Sequence, residues 1–467
     1  MAKTPRSKKN MDLNEWFKGD KIILMVALLL MLISIIAVFS STTLLAGKSG
    51  DRVSIVRDQL VAVGLGLGIM AGCYFGIRKT GIFRFFSQFG FIVCLVLLCI
   101  LMFRIPNPIF GFSEKVNARR VLLFHGMQIH VFEVVKVLMV MYVAWAVSRF
   151  REGKFTLLKG FAEKNPAFSF LGKDVTLEII YIFLPMAVTI GLVVRGSNSA
   201  AILITGVMLL MCVLGGIKLK HVMYFVLVLA VGAGTLLLVH KFSGKTDTGR
   251  TDTLISRVTN SDRQNEEKMY NAQSTTELYE ALDKLRQSYG AQFAIKEGGI
   301  FGKFVGNSSQ KYVTAAIYED YMYSFIVEET GLVGALIIVM LYLSLLARGL
   351  MIIKDCGDNL FAKLAVAGLI LMICSQAFLH MAVNVHLPGM PQTGQTLPMI
   401  SHGSSALIMF SLAFGIILSI SRNVWVKMQK REAEAAPIIE SSSNDEVQSR
   451  LEELDQLESI DNYGEEV

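Results

Sequence analysis

The sequence predicts an all-α polytopic membrane protein with about ten transmembrane helices and one large extracytoplasmic loop. Its 467 residues are 53% hydrophobic and 18% charged, whereas soluble chains carry about a quarter charged residues. Apolar runs recur near the ~20 residues that a helix needs to cross a bilayer. The period-two alternation of a membrane barrel is absent from the sequence. Each run is therefore expected to be helical, because lipid offers no partner to an unpaired backbone group.

Ten apolar runs define the predicted membrane domain, residues 21–425. They cover residues 21–46, 59–77, 85–103, 131–148, 177–194, 199–217, 221–240, 321–346, 360–382 and 404–424. The first run is too long for a removable signal peptide and lacks a small-residue cleavage site. The polar segment 241–319, between runs seven and eight, is the predicted extracytoplasmic loop. Residues 1–20 form a short N-terminal segment and residues 426–467 form a tail.

Lysine and arginine residues cluster in alternate short loops, including residues 1–9, 149–159 and 422–430. The positive-inside rule places these loops and both termini in the cytoplasm. The net charge of +7 includes the acidic tail, so the membrane domain is strongly basic. That balance suits anionic lipids and a pyrophosphate-bearing substrate, and the scattered basic residues do not favour nucleic acid. The tail is expected to be disordered, with a short partner-binding helix around Leu454 as the alternative.

The large loop contains one predicted amphipathic helix. Its first part, residues 245–268, is polar and expected to be irregular. Ser274 and Glu277 have the spacing of a capping box, and Gly290 is the predicted stop. Apolar residues follow the cap at helical spacing, namely Leu278, Ala281, Leu282 and Leu285. The helix could lie on the outer leaflet or over a cavity, or it could simply cover the helix bundle.

Asp320 stands at the mouth of the eighth run, which is predicted to be one long helix. Glu328 and Glu329 follow about two turns deeper. Carboxylates at membrane depth are costly and mark a functional site by default. Glycines in residues 298–306 allow close approach to a ligand, and Lys303 and Lys311 are expected to add positive charge near Asp320. The segment has no Walker-type motif, so nucleotide binding is not supported.

Two further segments carry polar residues beside the membrane. Arg119 and Arg120 precede the fourth run, and a pair of arginines could chelate a diphosphate. Glu133 and Lys136 share a helix face and are expected to pair, either as part of a site or as a structural ion pair. Prolines and glycines in residues 376–405 forbid a continuous helix, so a turn buried in protein or lining a cavity is expected there.

Three histidines lie in the same segment, at His380, His386 and His402. Their spacing is not the HxxxH of zinc sites, which leaves a metal site as the minor alternative. The six cysteines lie in predicted helices or on the cytoplasmic side, with no CxxC spacing, and are interpreted as packing residues.

These segments, in this order, resemble the motifs of the FtsW/RodA (SEDS) family over roughly residues 20–425. The resemblance is carried by Asn117–Val121, Phe132–Lys136, Gly302–Lys311, Asp320 with its Glu328-Glu329-x-Gly331-Leu332 run, and Thr393–Ser405. The chain departs from the family pattern at Thr314–Ile317 and Arg195–Ala201, where a Leu-Pro-Glu or Leu-Pro-His and an acidic residue are missing. Val121 replaces an aromatic residue, and one glycine is missing beside His402.

The resemblance implies a peptidoglycan glycosyltransferase that polymerises lipid II at the outer face of a bacterial inner membrane by inverting transfer. The turn and the acidic tail resemble the FtsW branch, which implies septal synthesis in cell division. Alternatives are a lipid II flippase or transporter and a non-catalytic division scaffold. Implied partners are lipid II, the growing glycan strand, membrane lipids, an FtsI-like class B penicillin-binding transpeptidase and other divisome proteins.

The resemblance also assigns roles to residues. Asp320 is the implied catalytic base. The implied substrate-binding residues are Arg119, Arg120, Glu133, Lys136, Lys303, Asn307, Ser308, Gln310, Lys311, Glu328, Ser401 and Ser404. No cofactor is certain, and a divalent cation, Mg²⁺ or Mn²⁺, is left open.

Overall fold

The computed structural model describes residues 17–42, 52–105, 109–112, 120–124, 127–155, 160, 170, 172–243, 261–314, 317–387 and 393–430. Arg119 and residues 431–467 lie outside the described residues, so the expectations for them stay predictions. By backbone contacts the chain divides into two units. Residues 20–420 form the first and contain every candidate site residue. The second contains, among the described residues, 17–19 and 421–430, and in it the Lys18 ammonium lies 5.8 Å from the centre of the Trp425 ring.

Helices make up most of the described chain and coincide with all ten apolar runs. In chain order they are α1 (Lys21–Ser41), α2 (Arg52–Ala71), α3 (Thr80–Ser87), α4 (Gly90–Phe103), α5 (Val131–Arg151), α6 (Asp174–Glu178), α7 (Leu184–Val194), α8 (Asn198–Leu214), α9 (Leu219–Ser243), α10 (Ser261–Tyr270), α11 (Thr275–Gly298), α12 (Met322–Asp355), α13 (Leu360–Asn384) and α14 (Ser404–Lys430). Five-residue π-helical segments extend α2 to Gly76 and join α6 to α7.

Seven of these described helices, with their π segments, are long and apolar enough to cross a bilayer. The α3–α4 pair, bent by 43°, gives an eighth span if the two helices form one crossing. The remaining two runs correspond to shorter apolar helices, α8 (Asn198–Leu214) and the part of α9 from Leu219 to Thr235. The prediction of a polytopic helical membrane protein is confirmed.

A small antiparallel sheet stands where the sequence predicted only a basic loop. Its strands are β1 (Gly111–Phe112), β2 (Val121–Phe124) and β3 (Met127–His130), in the order β1-β2-β3. Strands of two to four residues are too short for their periodicity to be recognised in a sequence. The sheet leads directly into α5, and the Val131 amide donates to the Arg120 carbonyl at 3.2 Å. The sheet therefore holds Arg120 next to the start of α5.

Two expectations about the large loop are wrong. Of residues 245–268, expected to be irregular, 245–260 lie outside the described residues and 261–268 belong to the helix α10 (Ser261–Tyr270). The helix α11 does not stop at Gly290 but runs on to Gly298. A Cβ at Gly290 would lie 2.1 Å from the Thr314 hydroxyl oxygen, so this glycine allows a close approach between α11 and the chain beside it. Burial of the following Ala291 and Ala294 favours continuation of the helix.

The cap of α11 follows the prediction in part. The Glu277 amide donates to the Ser274 hydroxyl at 3.2 Å, as a capping box requires. The Glu277 carboxylate accepts from the Gln273 amide at 3.2 Å, one residue earlier than expected.

The eighth run is not one continuous helix. Gly331 interrupts α12 with φ 69° and ψ −167°, a conformation that residues with a side chain rarely adopt. The Leu332 and Val333 amides donate to the carbonyls of Gly299 and Ile300, at 3.0 and 3.3 Å. The loop after α11 thus supplies hydrogen bonds that the broken helix lacks. Glu328 and Glu329, just before the break, are enclosed by protein and not by lipid.

Candidate active site

Asp320 lies two residues before α12 and is half-buried. Its backbone carbonyl accepts a hydrogen bond from the Asn384 side-chain amide at 3.1 Å. Gly394 lies against its carboxylate, and a Cβ at Gly394 would be 3.4 Å from both carboxylate oxygens. Because Gly394 is exposed and has no side chain, a ligand can approach the carboxylate from that side.

The start of α12 is capped by side chains from α13. The first amides of a helix have no partner within the helix. Here the Tyr323 amide donates to His380 Nε2 at 3.4 Å, and the Ser324 amide donates to Asn384 Oδ1 at 3.0 Å. The position of Asp320 therefore depends on α13.

The turn from Thr393 to Gly403 is hydrogen-bonded to the residues that precede Asp320. The Ser401 hydroxyl donates to the Glu319 carbonyl at 2.8 Å and accepts from the Leu397 amide at 2.9 Å. The His402 amide donates to the Tyr318 carbonyl at 2.9 Å. Ser401, a predicted substrate-binding residue, thus holds the turn in place.

The same turn is enclosed by helices. Its carbonyls at Pro398 and Ile400 accept from the Tyr342 and Ser34 hydroxyls, at 2.5 and 2.8 Å. Of the two expected settings, burial in protein holds for residues 397–401, whereas Gly394 is exposed.

Lys136 is the buried cation of this region, with 1% of its surface exposed. Its ammonium donates to Glu133 Oε1 at 2.7 Å, which confirms the predicted ion pair. It also donates to the side-chain oxygens of Gln376, at 2.5 Å, and Gln395, at 3.4 Å. Hydrogen bonds of this kind are what make a buried charge tolerable. Because Gln395 follows Gly394, one network includes Lys136 and the turn that faces Asp320.

Arg120 points toward the connection between α7 and α8. Its Nε donates to the Gly196 carbonyl at 3.0 Å. This connection belongs to the segment Arg195–Ala201 that departs from the family pattern. Ser199, within it, accepts a hydrogen bond from the Gln395 side chain at 3.1 Å. The departing segment therefore contributes a hydroxyl to the same network.

Glu328 lies in a second cluster, between α12 and the loop before it, and its side chain is fully buried. Its Oε1 accepts from the Lys303 ammonium at 3.0 Å, from the Ser309 amide at 2.8 Å and hydroxyl at 3.0 Å, and from the Gln310 amide at 3.3 Å. Its Oε2 accepts from the Ser308 hydroxyl. Lys303 also pairs with Glu297, and this hydrogen bond lowers the pKa of the Glu297 carboxyl.

Glu329 extends this cluster. Its Oε1 accepts from the Ser40 hydroxyl at 2.5 Å and the Gly306 amide at 2.9 Å. The Lys311 ammonium donates to the Gly306 carbonyl at 2.6 Å, and the Asn307 side chain donates to the Lys303 carbonyl at 2.9 Å. We call residues 303–311 with Glu328 and Glu329 the loop latch, because their contacts hold the loop on α12.

The structure thus places nine of the predicted substrate-binding residues in two clusters. Glu133, Lys136 and Ser401 lie in the hydrogen-bond network of the turn Thr393–Gly403, which lies beside Asp320. The loop latch contains Lys303, Asn307, Ser308, Gln310, Lys311 and Glu328. Ser404 is exposed at the first residue of α14. A role in substrate binding stays a prediction for all of them.

Sequence reasoning considered His380 only as a metal ligand and did not select Gln376 or Asn384. The three side chains form a polar stripe on α13, where they are buried and face the site. They are spaced four residues apart on an otherwise apolar helix, so they share one face. That spacing, in a membrane helix, is the signal that could have identified them.

Within the described ranges, no group of three or more His, Cys, Asp or Glu residues is placed to hold a metal ion.

The fold and the site define a polytopic helical membrane protein with a carboxylate at the start of a broken span, beside an irregular turn that is buried at residues 397–401. Residues 20–425 match the FtsW/RodA/SpoVE family of cell cycle proteins, and the chain belongs to that family.

Similar proteins carry related names. A probable peptidoglycan glycosyltransferase FtsW from Methylomonas methanica is 28% identical over 417 residues, which cover 87% of this chain and 93% of the relative. Stage V sporulation protein E from Bacillus subtilis is 25% identical over 406 residues, which cover 86% and 97%.

Two solved structures share the fold at 18% identity, each over 87% of this chain and 98% of the other. One belongs to a peptidoglycan synthase complex that coordinates polymerization and crosslinking, with a TM-score of 0.54. The other is the rod shape determining protein RodA from Thermus thermophilus, with a TM-score of 0.53.

Proposed function

We propose that this protein is a peptidoglycan glycosyltransferase that polymerises lipid II into glycan strands at the outer face of the bacterial cytoplasmic membrane. The observation that carries the proposal is the Asp320 carboxylate, which faces a glycine and whose backbone is held by Asn384. Membership of the family and the names of the relatives support this activity.

In the proposed step, Asp320 acts as a general base. The 4-hydroxyl of the GlcNAc on one lipid II attacks the anomeric carbon of a lipid-linked MurNAc. The new C–O bond forms as the bond from that carbon to the pyrophosphate breaks, with inversion. The hydroxyl proton passes to the Asp320 carboxylate, and the lipid pyrophosphate leaves with the bonding electrons. A hydroxyl is weakly acidic, so a positioned base contributes typically ~10²–10⁴-fold to the rate.

The leaving pyrophosphate requires positive charge. Lys136 is the best placed of the predicted cations, because its bond to Gln395 connects it to the turn beside Asp320. Arg120 lies half-buried at the connection before α8, and a guanidinium can bind a diphosphate through two parallel hydrogen bonds. A cation that enters with the substrate is also proposed, because Mg²⁺ is often held by one or two carboxylates plus phosphate oxygens. Chelation of divalent cations during polymerisation tests this last point.

The proposed setting is the division septum, with both termini in the cytoplasm. The similar FtsW relatives support the division role, and the lysine and arginine distribution supports the orientation. A class B penicillin-binding transpeptidase is the proposed partner, since a structure with this fold belongs to a complex that couples polymerization to crosslinking. Other divisome proteins are proposed as further partners.

The decisive experiment is polymerisation of fluorescent lipid II by the purified full-length protein, alone and with a transpeptidase partner. Asp320→Asn should lower the rate by about 10²–10⁴-fold and leave lipid II binding intact. Asp283→Asn, at an exposed carboxylate on α11, is the matched control and should polymerise normally. A leaflet-exchange assay in liposomes runs in parallel. If Asp320→Asn polymerises normally while lipid II exchange collapses, the flippase hypothesis replaces the glycosyltransferase.

A further inference from the structure

His380 is a buried histidine that the proposed chemistry does not use, with 1% of its surface exposed. Both nitrogens of its ring have protein partners. Nδ1 lies 2.7 Å from the Gln395 carbonyl oxygen, and Nε2 accepts from the Tyr323 amide at 3.4 Å. Gln395 follows the glycine that faces Asp320, and Tyr323 lies in the first turn of α12. The ring therefore bridges the two segments on either side of the Asp320 carboxylate.

The two partners determine the protonation state of the ring. A carbonyl oxygen can only accept a hydrogen bond, so Nδ1 must carry a hydrogen. A backbone amide can only donate, so Nε2 must be unprotonated in order to accept. The geometry thus requires the neutral Nδ1–H tautomer of His380. A second proton would direct the ring N–H at the Tyr323 N–H and break the bridge.

Asn384, one helical turn along α13, completes the arrangement. Its Oδ1 accepts from the Ser324 amide at 3.0 Å, and its Nδ2 donates to the carbonyls of Asp320, at 3.1 Å, and His380, at 2.9 Å. Asn384 holds the backbone of Asp320, and His380 joins that backbone to the opposing turn. Together they set the distance between the carboxylate and Gly394.

We infer that His380 is a positioning residue for Asp320, acting as a neutral bridge between α12 and the turn that contains Gly394. This inference rests on the proposed function. His380 touches neither the sugar nor the pyrophosphate in this scheme. It acts through geometry, and a displacement of 1 Å in a reacting group can lower a rate by about 10²-fold.

Two substitutions separate the two bonds of the ring. In His380→Asn, the side-chain amide can replace Nδ1–H and keep the bond to the Gln395 carbonyl. In His380→Gln, the longer side chain can place an oxygen near the Nε2 position and accept from Tyr323, but the bond to Gln395 is lost. The bond to Gln395 is the shorter one, at 2.7 Å against 3.4 Å, and is therefore the stronger.

We expect His380→Asn to polymerise lipid II at close to the wild-type rate. His380→Gln and His380→Leu should lower kcat by about 10²-fold with little change in KM for lipid II. In an Asp320→Asn background, His380→Leu should cause no further loss, because it acts through the carboxylate. A full additional loss in that background would overturn the inference, as would a wild-type rate for His380→Leu alone.

His221→Leu is the control for general loss of stability. His221 pairs with the buried Glu178 between α6 and α9, outside the network described around Asp320. It should lower the melting temperature without lowering kcat. If it lowers kcat as much as His380→Leu does, the effect of His380 is ordinary destabilisation.

Hydrogen exchange of residues 393–403 gives a readout that does not depend on activity. Exchange there should rise in His380→Gln and His380→Leu and stay at the wild-type level in His380→Asn. Equal exchange in all variants would overturn the bridging role. Absence of glycan from the wild-type protein, with the expected exchange pattern, would instead overturn the proposed function.

Discussion

The Lys136 ammonium donates to the side chain of Gln395 at 3.4 Å, one residue from the glycine that faces Asp320. The same ammonium is paired with Glu133 at 2.7 Å. A buried cation is thus linked to the turn beside the carboxylate, and it already has an anionic partner. The pair can serve the packing of α5, the chemistry of pyrophosphate, or both.

A double substitution distinguishes these roles. Lys136→Met alone should destabilise the protein by up to about 3–5 kcal/mol, the cost for a fully buried pair, because it leaves the half-buried Glu133 carboxylate without its partner. Lys136→Met with Glu133→Gln removes both charges and should recover most of that stability. If Lys136 also stabilises the leaving pyrophosphate, the double variant should fold but polymerise poorly. Melting temperature and lipid II polymerisation are the two measurements, and normal polymerisation by the double variant would leave the pair only a structural role.

Gly394→Ala should inhibit lipid II polymerisation without unfolding the protein. The added methyl group would lie 3.4 Å from both Asp320 oxygens, an ordinary contact distance that needs no backbone movement. It would occupy the side from which the acceptor hydroxyl approaches, and polymerisation should fall by up to about 10²-fold. Gly191→Ala on α7, where a Cβ meets nothing within 4 Å, is the matched control. Equal polymerisation rates for the two variants would show that the substrate does not approach past Gly394.

The membrane spans, the Glu133–Lys136 pair and the position of Asp320 at a helix start were predictable because each depends on local rules. Lipid imposes helices about 20 residues long, and a spacing of three residues places two side chains on one face. The structural role of a glycine, in contrast, can depend on residues that are distant in sequence. Gly290 resembles a helix stop in sequence, but the approach of Thr314 gives it a different role.

The hydrogen-bond partners of Lys303 and Lys311 could not be predicted from the sequence either. Both lysines precede Asp320 by fewer than 20 residues, which suggested that they act on that carboxylate. Because α12 breaks at Gly331, the loop folds back and Lys303 meets Glu328. No local sequence pattern predicts the break at Gly331, because a single glycine is compatible with a continuous membrane helix.

Two neighbouring glycines test how the loop is held on α12. Gly302 and Gly299 both have positive φ, at 75° and 54°. A Cβ at Gly302 would lie 2.3 Å from the Glu329 carbonyl oxygen, whereas one at Gly299 meets nothing within 4 Å. Both alanine variants carry the cost of a positive φ, roughly 1–3 kcal/mol, and only Gly302→Ala adds a backbone clash. Gly302→Ala should therefore lower the melting temperature in detergent much more than Gly299→Ala, and equal melting temperatures would contradict this packing.

Glu328→Gln should loosen the loop latch. The carboxylate accepts hydrogen bonds from four different residues, and an amide cannot accept them all with the same strength. Hydrogen exchange in residues 303–311 should rise. Glu297→Gln removes the other carboxylate of Lys303, which is more exposed, and should raise exchange much less. If Glu328→Gln lowers polymerisation and leaves exchange unchanged, Glu328 acts on the substrate and not on the loop.

The orientation in the membrane can be tested with single cysteines. Tyr279 is 71% exposed on α11, and the positive-inside rule places it outside the cell. Tyr279→Cys should react with an impermeant maleimide added to intact spheroplasts. Asp358→Cys, in the exposed turn before α13, is the cytoplasmic control and should react only after lysis. The six native cysteines are buried or half-buried, so background labelling should be low. The opposite pattern would place Asp320 at the inner face, where it could not extend a glycan outside the cell.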